Sequence, residues 1–283
     1  MSTIERFDSG GLELVAQRWP AAGGAPAGVV LFLHGGGQTR HSWERTAERV
    51  AAGGWDAVAL DLRGHGESAW DPEHDYSLDA FAGDLVRVIE ELGTPPVLVG
   101  ASLGGATGLV VAGEHPGLAR GLVLVDFVVR LEPGGVDRIR EFMAARPDGF
   151  ATLDDVADAI AAYTTTRRRT RNLDGLRKNV RLGEDGRWHW HWDPAFMRIG
   201  DEPQREISPD RLRTAAAHVA VPTLLVRGHL SDVVSEDGVR EMLALMPGAR
   251  TVDVQSAGHM VVGDDNDVFG AALDAFLAEL AAG

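Results

Sequence analysis

The chain has 283 residues, of which 45% are hydrophobic and 24% are charged, a composition typical of a globular protein with a large core. Its formal net charge of −15 argues against nucleic acid or an anionic membrane as a partner. The chain contains no cysteine, which excludes disulfides, a thiolate nucleophile and cysteine-ligated metal sites. The chain has no apolar run of about 18 residues, so the sequence predicts no transmembrane helix. The N-terminus lacks a signal-peptide pattern, and we therefore expect a cytoplasmic location.

Apolar, β-rich runs alternate with amphipathic helical patterns along most of the chain. This alternation predicts an α/β fold with a mostly parallel sheet and helices on both faces. A hairpin is predicted over residues 3–18. The later strands are predicted at 28–33, 56–60, 96–100, 122–125, 222–226 and 251–254, and the helices at 43–52, 78–92, 103–115, 239–245 and 268–280.

The alternation stops between about residues 128 and 217, where the chain is rich in Arg and Asp and shows helical patches without a buried strand pattern. An interruption of this kind between two core strands predicts an inserted, mainly helical cap or lid. The expected division is therefore a core formed by residues 1–127 and 218–283, and a cap formed by residues 128–217.

The strongest chemical signal is Gly100-Ala101-Ser102-Leu103-Gly104, followed by Gly105, at a junction of strand and helix. Such a sharp turn requires small residues two positions before and after the serine, and it exposes the hydroxyl at the carboxyl edge of the sheet. The Leu103 N–H would lie at a helix start, where the helix dipole favours negative charge. The sequence therefore predicts Ser102 as a nucleophile.

A serine hydroxyl needs a base and an oriented imidazole to act as a nucleophile near neutral pH. Of ten histidines, His259 lies in the loop between the last strand and the last helix, at the same sheet edge as Ser102. Asp232, in the loop after the strand at 222–226, is predicted as the acid that orients His259. Asp126, directly after the strand at 122–125, is the alternative acid.

Acyl transfer also requires N–H donors for the developing oxyanion. His34-Gly35-Gly36-Gly37 follows a buried strand, and a backbone with so few side chains can turn its amides inward. Gly36 and Leu103 are predicted to supply the two N–H groups, with Gly37 as the alternative to Gly36. His34 is expected to bind the loop backbone.

The stretch from Trp188 to Trp192 alternates indole and imidazole side chains, so an extended conformation would separate the two kinds. The indoles are expected either to anchor the cap to the core or to form an aromatic wall facing substrate. Two histidines without further ligands nearby do not predict a metal site. The candidate substrate contacts, which would favour an apolar acyl or alcohol group, are Phe142, Met143, Trp190, Trp192, Phe196 and Met260.

A basic cluster lies within the predicted cap and consists of Arg167, Arg168, Arg169, Arg171, Arg177, Lys178 and Arg181. A solvated helix face is the simpler interpretation, and an anion-attracting rim above a pocket is the alternative. Lys178 is the single lysine of the chain, a bias typical of a GC-rich genome.

Taken together, these segments resemble the α/β-hydrolase superfamily over essentially everything outside residues 128–217. The matching motifs are HGGG at 34–37, DLRGHGES at 61–68, GASLGG at 100–105, SDVV at 231–234 and AGHM at 257–260. The resemblance implies an eight-stranded, mostly parallel sheet with a cap after strand six, a small-molecule substrate and no cofactor. The 61–68 segment is usually structural in this family.

The same resemblance narrows the chemistry. Dehalogenases and epoxide hydrolases of this fold carry aspartate where this chain has Ser102, which argues against both. The serine branch contains carboxylesterases and lactonases, cofactor-free perhydrolases and carbon–carbon bond hydrolases. A carboxylesterase is the expected activity, and a non-catalytic ligand sensor on the same fold is the alternative from another class.

Overall fold

The computed structural model describes residues 1–163, 173–198, 207–255, 257–259 and 267–282. Its strands are β1 (Thr3–Ser9), β2 (Leu12–Trp19), β3 (Val29–Leu33), β4 (Asp56–Leu60), β5 (Val97–Ala101), β6 (Gly121–Val125), β7 (Val180–Leu182), β8 (Trp188–Trp190), β9 (Thr223–Gly228) and β10 (Arg250–Val254). Its helices are α1 (Glu44–Ala52), α2 (Leu78–Leu92), α3 (Leu103–Glu114), α4 (Pro133–Ala144), α5 (Leu153–Tyr163), α6 (Pro209–His218), α7 (Glu236–Leu245) and α8 (Asp267–Ala282). None of the helices in these ranges is both long and apolar enough to cross a membrane.

Eight strands form one sheet in the order β1-β2-β4-β3-β5-β6-β9-β10. The β1–β2 and β2–β4 pairs are antiparallel, and the remaining pairs of this sheet are parallel. The predicted α/β fold is therefore confirmed, and the core strands agree with the sequence prediction to within a residue or two. The five parallel strands before β10 are mostly apolar and buried, with Asp56 and Arg227 as the partly exposed residues, because helices cover both faces of the sheet.

Alternate residues of each strand enter different halves of the core. On β3, Leu31 and Leu33 pack into the cluster that includes α2 and α3. Val30 and Phe32 pack on the opposite face, with α1 and α8. The carboxyl ends of β3, β5, β6 and β9 thus meet at one edge between two well-filled layers, which is where ligands bind in folds of this kind.

The chain between β6 and α6, residues 128–208, is called the insert below. Besides α4 and α5 it contains β7 and β8, which pair antiparallel and were not predicted as strands. Each has only three residues, too short for a periodic pattern to be visible in the sequence.

The predicted cap boundary at residue 217 falls within α6, and this helix packs in the core layer. A Cβ atom on Gly113 of α3 would lie 2.2 Å from the Ala215 carbonyl oxygen, so the backbones of α3 and α6 are in direct contact. The small residue at position 113 makes this approach possible. Part of the segment predicted as cap, residues 209–217, is thus in direct contact with the helix that follows Ser102.

Candidate active site

Ser102 occupies the sharp turn between β5 and α3. Its backbone has φ 48° and ψ −110°, a sparsely populated conformation for a non-glycine residue that costs about 1–3 kcal/mol. A Cβ on Gly100 would lie 2.3 Å from the Gly104 carbonyl oxygen, and a Cβ on Gly104 would lie 2.4 Å from the Leu33 carbonyl oxygen. The two glycines allow the turn because any side chain at either position would collide with backbone.

Two of the three candidate amide donors beside Ser102 have no acceptor among the residues that the structure describes. They are the N–H groups of Gly36 and Leu103, which line the same cavity as Ser102. The third candidate, the Gly37 N–H, is already donated to Nε2 of His65 at 3.1 Å. The geometry therefore favours the pair Gly36 and Leu103 as anion donors over the alternative Gly37.

His259 lines the cavity that contains Ser102, and Asp126 is its carboxylate partner. Nδ1 of His259 lies 2.7 Å from Oδ2 of Asp126, whose side chain is only 1% exposed. The same carboxylate accepts the Gly228 N–H at 3.0 Å and the Ser231 hydroxyl at 2.6 Å. Two donors besides the imidazole thus fix the Asp126 carboxylate, which in turn orients His259.

Asp232, the preferred acid from the sequence, is not the partner of His259 in the structure. Its side chain is 45% exposed and forms an ion pair with Arg138 at the surface. After β9 the chain turns, with the Ser231 N–H bonded to the Gly228 carbonyl, so that Ser231 faces Asp126 and the next side chain points outward. The alternative acid, Asp126, therefore replaces Asp232 at this position.

The cavity beside Ser102 has a volume of about 430 Å³. Five of the six predicted substrate contacts line it, namely Phe142, Met143, Trp190, Trp192 and Phe196, and the sixth, Met260, lies outside the described residues. The rings of Trp190 and Trp192 stack at 4.8 Å, and those of Phe142 and Tyr163 at 4.2 Å. The aromatic side chains of the insert thus both pack on one another and face the cavity.

The basic cluster does not form one surface. Arg167, Arg168, Arg169 and Arg171 lie outside the described residues. Arg177 covers the ring of Trp188 at 4.9 Å, and Arg181 covers the ring of Trp70 at 5.2 Å. Lys178 lines the cavity, but its ammonium is paired with Glu44 at 2.7 Å. The described members therefore fit neither a purely solvated helix face nor an anion-attracting rim.

Three imidazoles hold the loop at residues 35–38, which carries the Gly36 amide. Nδ1 of His34 donates to the Gly35 carbonyl at 2.8 Å, and Nε2 of His65 accepts the Gly37 N–H at 3.1 Å. Nε2 of His191 donates to the Gly37 carbonyl at 3.2 Å. Three consecutive peptide units are thus each held by one histidine.

The other nitrogen of each ring binds the loop that follows β4. Nε2 of His34 accepts the Leu62 N–H at 3.0 Å, and Nδ1 of His65 donates to the Arg63 carbonyl at 2.9 Å. Nδ1 of His191 accepts the Gly66 N–H at 2.9 Å. Each ring has one donor and one acceptor partner, so each must be neutral with a fixed tautomer. We call His34, His65 and His191 the histidine bracket.

Burial in the protein interior keeps the bracket neutral. It lowers the pKa of His34 to about 4 and that of His65 to about 3, and it lowers the pKa of His191 well below its ordinary value of 6.5. The expected structural role of His34 agrees with these contacts. The sequence placed His65 only within the 61–68 motif and His191 only among the imidazoles of the alternating stretch from Trp188 to Trp192. The hydrogen bonds of these two histidines to the loop at 35–38 were not predicted.

Lowering the pH from 7 to 4.5 should therefore destabilise the fold. Below pH 6.5 the unfolded chain takes up protons on these histidines while the folded chain does not. The free energy of unfolding therefore decreases as the pH is lowered, until the pKa values of the folded state are reached. Each histidine contributes up to about 1.4 kcal/mol per pH unit. Urea unfolding at several pH values measures the slope, and a His191→Gln variant should show a shallower one. An equal slope in that variant would contradict the assignment.

A sharp turn that exposes a serine, a buried carboxylate–histidine pair and free amides on one cavity define the class of α/β hydrolases. The α/β hydrolase fold family matches residues 28–265 of this chain, and the chain belongs to that family. Esterase Rv0045c of Mycobacterium tuberculosis is 32% identical over 272 residues, which cover 92% of this chain and 84% of the esterase. The 3-hydroxybutyrate-oligomer hydrolase of Cupriavidus necator is 28% identical over 247 residues, covering 82% of each chain.

Solved structures show the same relationship. The crystal structure of E-2-(acetamidomethylene)succinate hydrolase superposes with a TM-score of 0.84 at 25% identity, covering 98% of this chain and 100% of the other. The crystal structure of the M. tuberculosis esterase superposes with a TM-score of 0.75 at 28% identity, covering 100% of this chain and 92% of the esterase. These similarities support a hydrolase activity for this chain.

Proposed function

We propose that the protein is a serine hydrolase that cleaves carboxylic esters or lactones of small, largely apolar molecules through an acyl-enzyme. The observation that carries this proposal is the strained turn at Ser102, which opens into the same cavity as His259, itself bonded to the buried Asp126. A serine, a histidine and a carboxylate in these roles form the machinery of acyl transfer. The net charge of −15 also supports a small molecule rather than a nucleic acid as the partner.

In the proposed mechanism, Nε2 of His259 takes the hydroxyl proton as the Ser102 oxygen bonds to the ester carbonyl carbon. Asp126 accepts the Nδ1–H and stabilises the imidazolium that forms. The carbonyl oxygen becomes an oxyanion held by the N–H groups of Gly36 and Leu103. The tetrahedral intermediate then releases the alcohol, which takes the proton from His259. Water repeats these steps on the acyl-enzyme and frees the acid and Ser102.

We infer that the insert acts as the cap of this site. A Cβ on Gly36 would lie 3.4 Å from the ring of Phe196, and a Cβ on Gly37 would lie 3.0 Å from Met143. Both of these side chains belong to the insert and lie directly on the loop that carries the Gly36 amide. A cover of this kind keeps water from the reacting carbonyl and strengthens the electrostatic interactions there.

The lining of the cavity supports an apolar acyl or alcohol group. Apolar side chains dominate it, and of its two cationic side chains, Arg140 and Lys178, the second is already paired with Glu44. Because burying one methylene stabilises a complex by about 0.8 kcal/mol, kcat/KM for p-nitrophenyl esters should rise about three- to fourfold per added CH₂ until the cavity is full.

A matched pair of substrates tests this assignment. We expect p-nitrophenyl valerate to be cleaved at least about 10-fold faster than p-nitrophenyl hemisuccinate, because the mostly apolar wall of the cavity cannot replace the water around the hemisuccinate carboxylate, and Arg140 is an exposed side chain that stays in contact with solvent. Faster cleavage of the hemisuccinate would instead indicate a site for acids such as the substrate named for the succinate hydrolase.

Assays of peroxyacid formation and of a vinylogous diketone, run beside the esters, separate perhydrolysis and carbon–carbon cleavage from ester hydrolysis. Turnover of any of these substrates discards a pure ligand sensor.

A further inference from the structure

Two members of the histidine bracket come from the core and the third comes from the insert. His34 follows β3 and His65 lies in the loop after β4, whereas His191 directly follows β8. The Gly35 carbonyl bound by His34 and the Gly36 N–H belong to one trans peptide, so they point in opposite directions. The orientation of the proposed oxyanion donor is therefore set by how the loop at 35–38 is held.

Of the three hydrogen bonds that the histidine bracket makes to this loop, the one from His191 to the Gly37 carbonyl comes from the insert. Gly37 has φ 73°, a left-handed conformation that is confined by His65 at its N–H and by His191 at its carbonyl. Without His191 the peptide between Gly37 and Gln38 keeps, among the described residues, only the hydrogen bond from the Gln38 N–H to the Gly35 carbonyl at 3.1 Å, so its orientation is held less firmly.

The segment that carries His191 is itself fixed on the core by adjacent contacts. The Asp193 N–H binds the Gly64 carbonyl at 2.9 Å, and the Tyr76 hydroxyl donates to the Asp193 carboxylate at 2.5 Å. Trp190 and Trp192, on either side of His191, line the cavity. A molecule that fills the cavity therefore touches the neighbours of the residue that holds the Gly37 carbonyl.

We propose that His191 is a positioning residue that couples the insert to the oxyanion loop, so that the Gly36 amide is aligned only while residues 188–193 are docked on the core. This inference rests on the proposed function for its catalytic consequence. It assigns one of the restraints on the loop to a residue of the insert that contacts no reacting atom. Substrate packed against the two indoles would stabilise the same docked state.

Three substitutions separate the two hydrogen bonds of His191. The amide of His191→Gln reaches the place of Nε2 and can still donate to the Gly37 carbonyl, whereas the shorter amide of His191→Asn reaches the place of Nδ1 and can bind only the Gly66 N–H. His191→Phe keeps the ring and loses both bonds. His189→Gln is the matched control, because His189 is a partly exposed neighbour bound to Asp185.

We expect His191→Asn and His191→Phe to lower kcat about 10- to 100-fold with KM changed less than about threefold, because a misplaced donor weakens the transition state selectively. His191→Gln should restore kcat to within about threefold of the wild type, and the His189→Gln control should match the wild type. Equal kcat in all variants would overturn the proposal. So would a rise in KM at constant kcat, which would mean that His191 serves only substrate binding.

A second measurement does not depend on catalysis. Amide hydrogen exchange over residues 35–38 should be faster in His191→Asn and His191→Phe than in the wild type, and unchanged in His191→Gln and His189→Gln. Unchanged exchange in all four proteins would show that His191 does not restrain the loop. If the wild type cleaved no ester in a Ser102-dependent manner, the proposed function would fail, and the exchange rates would still decide whether His191 holds the loop.

Discussion

A Ser102→Ala variant is expected to lose about 10⁴–10⁶-fold in kcat/KM for p-nitrophenyl esters while keeping its fold. The substitution removes the oxygen that forms the acyl-enzyme, and the proposed mechanism gives no other described residue of the cavity this role. The residual rate should come from substrate binding and from the Gly36 and Leu103 amides, which still stabilise attack by water. Initial rates at several substrate concentrations measure the loss.

Covalent labelling gives the control for this prediction. A fluorophosphonate should add once to the wild type, at Ser102, and should not add to Ser102→Ala, as measured by peptide mass spectrometry. Circular dichroism and thermal unfolding should show that the variant is folded, because alanine keeps the Cβ atom and can adopt the same backbone conformation as serine at residue 102. A folded alanine variant with most of its activity would refute the nucleophile assignment.

The pair Asp126→Asn and Asp232→Asn should differ by orders of magnitude. Asp126→Asn should lower kcat by about 10³–10⁴-fold, because an amide in that place no longer stabilises the imidazolium and no longer selects the Nδ1–H tautomer of His259. Asp232→Asn should stay within about threefold of the wild type, because it changes only an exposed ion pair with Arg138.

The same two variants also report on the structural role of Asp126. Its carboxylate accepts the Gly228 N–H and the Ser231 hydroxyl, so Asp126→Asn should also lower the melting temperature, whereas Asp232→Asn should leave it nearly unchanged. Fluorophosphonate labelling should be slowed in Asp126→Asn in proportion to kcat if the loss lies in activation of Ser102. The reverse ranking of the two variants would return the role of acid to Asp232.

The core of the fold was predictable because its signals are local. Each strand before β10 in the parallel part of the sheet is a short apolar run, and the turn at Ser102 is marked by Gly100 and Gly104, whose absence of side chains is a direct steric requirement. Hydrophobic periodicity and turn chemistry extend over only a few residues, so a single sequence contains them. The β7–β8 hairpin was missed because three-residue strands carry no period.

Local sequence patterns could not decide whether Asp126 or Asp232 binds His259. Both carboxylates follow strands that end at the same edge of the sheet, β6 and β9, which are neighbours in the sheet order. The decision depends on the turn after Gly228, which brings Ser231 to Asp126 and leaves Asp232 at the surface beside Arg138. The path of a loop over its neighbours depends on contacts between residues about 100 positions apart.

By itself the sequence determined the parallel sheet, the sharp turn at Ser102 and the positions of the glycine-rich loop at 34–37 and of the loop with His259, because strand burial and glycine-dependent turns follow from short-range sterics. Only the tertiary structure decided which carboxylate meets His259, which amide of the loop at 35–38 finds no acceptor among the described residues, and that His191 of the insert binds the Gly37 carbonyl of this loop. These are long-range hydrogen bonds between segments distant in sequence. Their partners are mostly backbone groups, which every residue possesses, so no residue type in the sequence marks them in advance.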